Sequence, residues 1–153
     1  MPNEAQGLDA ITQWGAAVVV SMTTKAELKA AHIPSLGRAL NYRGIKWYHV
    51  PVEDYGVPET KLPARSENSP FSSGLGSVQD IWDVVAKSAL KEMTDGGSVL
   101  VHCKGGCGRS GMAALRLMVL AGEAPEMALA RLRAVRPCAV ETDEQAAWAM
   151  RPV

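Results

Sequence analysis

Cysteine is scarce in this sequence: three among 153 residues. An odd, low count does not build a disulfide framework, so a reducing compartment is expected. Charge of one prevailing sign is also absent. Sixteen Lys and Arg balance sixteen Asp and Glu, which argues against a nucleic-acid footprint spread over a face but leaves room for a local electropositive pocket. There is no long hydrophobic run: the longest near the N-terminus, residues 16–20, is far too short to span a membrane. The opening MPNEAQGLDA lacks the basic stretch and apolar run of a signal peptide. Neither an internal repeat nor a low-complexity tract stands out. A soluble cytoplasmic protein without a membrane span is therefore expected. What is present is a chain 47% hydrophobic and 21% charged, enough for one compact domain over residues 1–153.

Along the chain, strand and helix signals alternate. AAVVVS at 16–21 is a β-branched apolar run, hence a buried strand. Thr24 with Glu27 has the spacing of a capping box opening a short helix to about Ala31. SLGRALNYR restarts a helix that Gly44 ends, and IKWYHV at 45–50 is strand-like. Residues 51–76 are loop-rich, and a loop that long inside a small domain is usually functional or mobile. Ser77 caps a helix to about Met93, with Val78, Ile81, Val84, Val85 and Leu90 as its apolar stripe. SVLVH at 98–102 is the next strand, and Gly111 to Leu120 a buried helix. Pro125 starts a further helix, and Thr142 with Gln145 forms a last capping box. This alternation predicts an α/β fold, a mostly parallel central sheet with helices on both faces.

The chemistry is concentrated in VHCKGGCGRSG at 101–111. A strand ending at Cys103 delivers a thiol to the carboxyl edge of the sheet, where α/β folds bind ligands. Between Cys103 and Arg109 stand Lys104, Gly105, Gly106, Cys107 and Gly108. The glycines let successive backbone N–H groups turn inward as an anion-binding nest, and the following helix points its N-terminus there. Arg109 can grip two oxygens of a phosphate in a bidentate fork. The same field lowers a cysteine pKa from about 8.5 to ~3.5–7.5, making Cys103 a nucleophile toward phosphorus. Ser110 can donate a hydrogen bond to its sulfur. A leaving oxygen needs a proton, and Asp54, just beyond the IKWYHV strand, is the best-placed acid, ahead of Glu53 and Glu59.

Two alternatives fail on the residues. Gly106, Gly108 and Gly111 fit G-x-G-x-x-G, but no strand ending in an acidic residue follows about twenty positions on. A Walker loop lacks its lysine–serine pair. A zinc site from His102, Cys103 and Cys107 is disfavoured because adjacent strand residues point to opposite faces.

At these residues the sequence resembles the protein tyrosine and dual-specificity phosphatase superfamily, whose loop reads H-C-x5-R-[ST]. Within it, HVPVEDYGVPE (49–59), VHCKGGCGRSG (101–111) and RAVRPCAVETDEQ (133–145) are similar to the cyclin-dependent-kinase-inhibitor-associated phosphatase branch and its bacterial relatives. The resemblance implies double displacement without metal or other cofactor. Cys103 would be nucleophile, Arg109 the phosphate clamp, Asp54 general acid and later base. Gln145 would position the hydrolytic water, and His102 would orient the loop. Cys138 stands where such relatives usually carry glycine. Either Cys107 or Cys138 is a candidate to form a reversible disulfide with Cys103. The implied substrate is a phosphorylated protein bearing phosphotyrosine, with phosphoserine and phosphothreonine open. A phosphoinositide or other small polyanionic ester also stays open, through Lys104. Lys61 and Arg65 are ambiguous between substrate attraction and solvation. A sulfurtransferase, an arsenate reductase and a non-catalytic phosphate-binding module fit the combination of Asp54, C-x5-R-S and Gln145 less well.

Overall fold

The computed structural model describes residues 4–59 and 76–153. Lys61, Arg65 and most of the long loop lie outside these residues. Among the described residues ten elements follow one another: α1 (Glu4–Trp14), β1 (Ala16–Ser21), α2 (Lys25–Ala30), α3 (Leu36–Tyr42), β2 (Lys46–His49), α4 (Val78–Thr94), β3 (Ser98–His102), α5 (Gly108–Leu120), α6 (Pro125–Val135) and α7 (Asp143–Ala149). The three strands form one sheet in the order β2-β1-β3, all parallel. The expected α/β architecture, a parallel sheet between helices, is thus met.

The run of valines in β1 is explained by its central position. Val19 pairs with Trp47 on one side and with Leu100 on the other. Val18 and Val20 point into a core with Trp82, Val85, Met112, Leu115 and Trp148, contributed by α4, α5 and α7. Val19 points the opposite way, into a second core with Leu8, Leu28, Leu36 and Leu40 of α1, α2 and α3. A strand covered on both faces has no polar side to show, so alternation disappears from its sequence. The indoles of Trp82 and Trp148 meet edge to face at 5.3 Å, fixing α7 against α4.

Local signals fare unevenly. The Thr24–Glu27 capping box forms, and Ser77 makes another with Asp80 at the start of α4. The α4 stripe needs correction: Val84 is 56% exposed, while Trp82 is buried. Buried positions on α4 are Val78, Trp82, Val85, Ala86 and Ala89. Val84 lies about 200° round the helix from Trp82 at 3.6 residues per turn, on the solvent side. Helix α1 is an addition to the expected elements; Leu8 and Ile11 anchor it to the second core. Among the described residues no helix is long and apolar enough to cross a membrane.

Candidate active site

β3 ends at His102, and Cys103 follows at once, at the carboxyl edge of the sheet. His102 is held from below: its Nε2 lies 2.6 Å from the Ser21 hydroxyl, which accepts a 2.8 Å hydrogen bond from the Trp47 indole. Its Nδ1 sits 3.4 Å from the Cys103 carbonyl. Burial pushes the imidazole pKa down despite that carbonyl. Beyond Cys103 the chain turns through Gly106, at φ +71°, a conformation that glycine adopts without strain. The Gly106 N–H donates to the Cys103 sulfur at 3.3 Å, and the Ser110 hydroxyl lies 3.3 Å from the same sulfur. Burial alone would push the Cys103 thiol up. Hydrogen bonds from the Ser110 hydroxyl and from the N–H groups of Ser110, Gly106 and Cys107 outweigh it and leave the thiol below its ordinary range.

Arg109 opens the second residue of α5 and is 2% exposed. Its two terminal nitrogens donate to the two carboxylate oxygens of Glu27, both at 2.8 Å, and Nη1 also donates to the Val52 carbonyl at 2.9 Å. Asp54 Oδ1 approaches Nη2 to 3.3 Å. The bidentate guanidinium is the leading reason Glu27 falls from the usual 4.5 to about 2, against the opposing effect of burial. Glu27 escaped the sequence reading because its spacing from Thr24 already gave it a use. It has both: the oxygen that closes the capping box at the Thr24 N–H also accepts from Arg109.

Above the sulfur lies a cavity of about 260 Å³. Cys103, Lys104, Gly105, Cys107, Gly108 and Arg109 line it from the loop, and Asp54, Tyr55 and Glu141 from outside. Asp54 and Tyr55 form the middle of a tight turn closed by the Gly56 N–H on the Glu53 carbonyl at 2.9 Å. Tyr55 holds φ +61° there, a left-handed conformation costing an L-residue about 1–2 kcal/mol, and is 61% exposed. Nothing in the sequence E-D-Y-G signals that tyrosine rather than glycine takes this position. Of the alternative acids, Glu59 is paired with Arg151, and Glu53 does not line the cavity.

Gln145 is placed differently from expectation. It is fully buried and absent from the cavity wall. Its amide oxygen accepts from the Glu141 N–H at 3.0 Å, and its amide nitrogen donates to the Gly56 carbonyl at 3.4 Å. Only half of the Thr142–Gln145 box therefore forms: Thr142 accepts from the Gln145 N–H, but the glutamine side chain has turned to other partners. The side chain facing the cavity from this segment is Glu141. A methyl group on Gly108 would come within 2.1 Å of its carboxylate, so glycine at 108 makes room for Glu141.

The expected cysteine pairing also changes. Cys107 and Cys138 are bonded to each other across 31 residues, with Cα atoms 5.2 Å apart, and Cys103 is the free thiol. The loop curls so that the Cys107 side chain faces the connection between α6 and α7 while Cys103 faces the cavity. The bridge removes Cys107 from any zinc set with His102 and Cys103.

Comparison with known proteins places the chain among phosphatases. The family described as "Swiss Army Knife protein, DSP-PTPase phosphatase domain" matches residues 1–149. Among curated relatives, cyclin-dependent kinase inhibitor 3 of Mus musculus is 29% identical over 145 residues, 94% of this chain and 60% of its own. The Rattus norvegicus counterpart is 30% identical over 125 residues, 80% of this chain and 50% of its own. The chain thus spans 60% or less of these relatives' length. Among solved structures, kinase-associated phosphatase, crystallised with its catalytic-site cysteine replaced by serine, superposes with a TM-score of 0.76 at 21% identity, covering 96% of this chain and 74% of its own. The active form of Tk-PTP gives 0.70 at 27% identity, over 95% of this chain and 82% of its own.

Proposed function

Because the chain belongs to the DSP-PTPase phosphatase domain family, we propose that residues 1–153 act as one domain that hydrolyses phosphomonoesters, phosphotyrosine in proteins foremost and phosphoserine and phosphothreonine with it. The observation that carries this reading is the Cys103 sulfur at the base of a cavity whose walls also hold Arg109 and Asp54. Cys103 attacks phosphorus as thiolate, in line with the departing oxygen. The loop N–H groups receive the phosphoryl oxygens, as a nest of inward donors does for any oxyanion. Arg109 keeps Glu27 on one edge of its guanidinium, and the phosphate takes over the contact at Nη2 that Asp54 now makes.

Asp54, released toward the cavity, gives its proton to the leaving oxygen and later accepts one from the attacking water. Ser110 donates to the Cys103 sulfur as it leaves the phosphocysteine. All of this proceeds on the chain's own side chains, without a metal. Gln145 supports the site from behind, through Glu141 and Gly56.

The decisive experiment is hydrolysis of an activated aryl phosphate in the presence of a metal chelator, for wild type beside Cys103→Ser. Turnover is expected in wild type alone, and turnover retained by Cys103→Ser would sink the mechanism. Asp54→Asn should slow alkyl phosphates far more than activated aryl phosphates; equal slowing would remove Asp54 from the acid role.

A further inference from the structure

The Cys107–Cys138 bridge plays no part in the proposed hydrolysis, yet it is fastened to the loop that binds phosphate. Cys107 is the residue that caps α5, and its backbone N–H is one of the donors to the Cys103 sulfur. Its carbonyl accepts from the Val140 N–H at 3.2 Å. Cys138 lies in the connection between α6 and α7 and is exposed. Two residues earlier, Arg136 donates to the Gly106 carbonyl at 3.1 Å and the Gly105 carbonyl at 3.2 Å. Residues 136–140 thus hold the loop from outside, drawing its carbonyls away from the cavity so that its N–H groups face inward. The hydrogen bonds in this clasp are solvent-facing at Arg136 and individually weak. The disulfide is its covalent part.

We propose that this bridge is a thiol–disulfide exchange site, reducible by a small dithiol, and that its opening loosens the phosphate loop and weakens oxyanion binding. The inference rests on the reading of the loop as an anion site. The chemistry balances within the bridge and its reductant. A dithiol thiolate attacks the sulfur of Cys138, the exposed residue of the pair, and Cys107 leaves as thiolate, accepting a proton at neutral pH. The second thiol of the reductant then displaces Cys138 and closes the reductant's own disulfide. Two electrons pass from reductant to bridge. Cys103 is not consumed, so the site differs in kind from a bridge that protects the nucleophile by capping it. Its location is what separates it from a purely stabilising crosslink: it sits at the cavity rim with one sulfur-bearing residue exposed and the other in the anion loop.

The test uses the Cys103→Ser chain, in which only Cys107 and Cys138 remain. Free thiols are titrated and inorganic phosphate binding is measured by calorimetry, before and after dithiothreitol, and again after reoxidation with oxidised glutathione. Reduction should expose both thiols and raise the Kd for phosphate severalfold, and reoxidation should restore it. Adding Cys107→Ala and Cys138→Ala together should give the reduced-state affinity and abolish the response to dithiothreitol. An unchanged Kd with both thiols exposed overturns the proposal, as does a bridge that dithiothreitol leaves closed in the folded chain. Thiols that oxidised glutathione fails to join overturn it too. If the folded chain binds phosphate in neither state, the anion-site reading falls and takes the proposal with it.

Discussion

At the scale of single residues, the site works by setting the ionisation of one thiol. Four hydrogen bonds aimed at Cys103 outweigh the burial that would keep it protonated. Ser110 supplies two of them, from its hydroxyl and its N–H, and only the first depends on the side chain. Ser110→Ala should therefore raise the Cys103 pKa. The rate of alkylation by iodoacetamide against pH should show its midpoint move up. An unmoved midpoint would show that the backbone donors suffice alone. Cys103, Arg109 and Ser110 could be read from the sequence because they lie within eight residues of one another and their geometry is local. Glu27 could not: it is separated from Arg109 by 82 positions, and no pattern in the chain marks that distance.

At the scale of elements, the site depends on how closely α5 approaches the connection before α7. Gly111 is the crossing point: an added methyl group would lie 2.7 Å from the Val140 nitrogen and 3.0 Å from Ala139. The obstruction is backbone, which cannot swing aside as a long side chain would. Gly111→Ala should cost about 1–3 kcal/mol, read from the shift of the urea unfolding midpoint at constant m-value. Gly105 makes the contrast, since a methyl group there meets nothing within 4 Å. Gly105→Ala should stay within about 0.5 kcal/mol of wild type. Equal losses in the two variants would contradict the tight crossing. The sequence showed that glycines crowd this turn but not that they serve different ends: one for backbone angle (Gly106), one for a carboxylate (Gly108), one for a helix crossing (Gly111).

At the scale of the whole molecule, the Arg109 guanidinium ties three distant segments, α2 through Glu27, the stretch after β2 through Val52, and α5 itself. Removing the Glu27 charge leaves a buried cation with Asp54 as its remaining carboxylate. Glu27→Gln should destabilise the fold by about 2 kcal/mol, less than the 3–5 of a pair cut in full burial because Glu27 keeps partial access to water. The same pair predicts an acid limb. Glu27 binds its proton more weakly folded than unfolded, so its contribution is complete above about pH 5 and is lost as pH falls toward about 2. Urea midpoints over that range should fall more steeply for wild type than for Glu27→Gln. Parallel slopes would mean that other carboxylates govern acid unfolding.

The sequence by itself determined whatever rests on short-range geometry: a β-branched run that must be buried, the capping serines and threonines, and a thiol delivered by a strand into a glycine turn ahead of a helix. Those features need only neighbours within a few residues, and their physics is the same in any fold. Tertiary structure alone decided the rest. It chose which face of α4 is buried, turned Gln145 inward and left Glu141 at the cavity, and joined Cys107 to Cys138 instead of to Cys103. Each of these depends on where a distant segment lands, because a side chain with several possible partners takes the one that packing brings within reach.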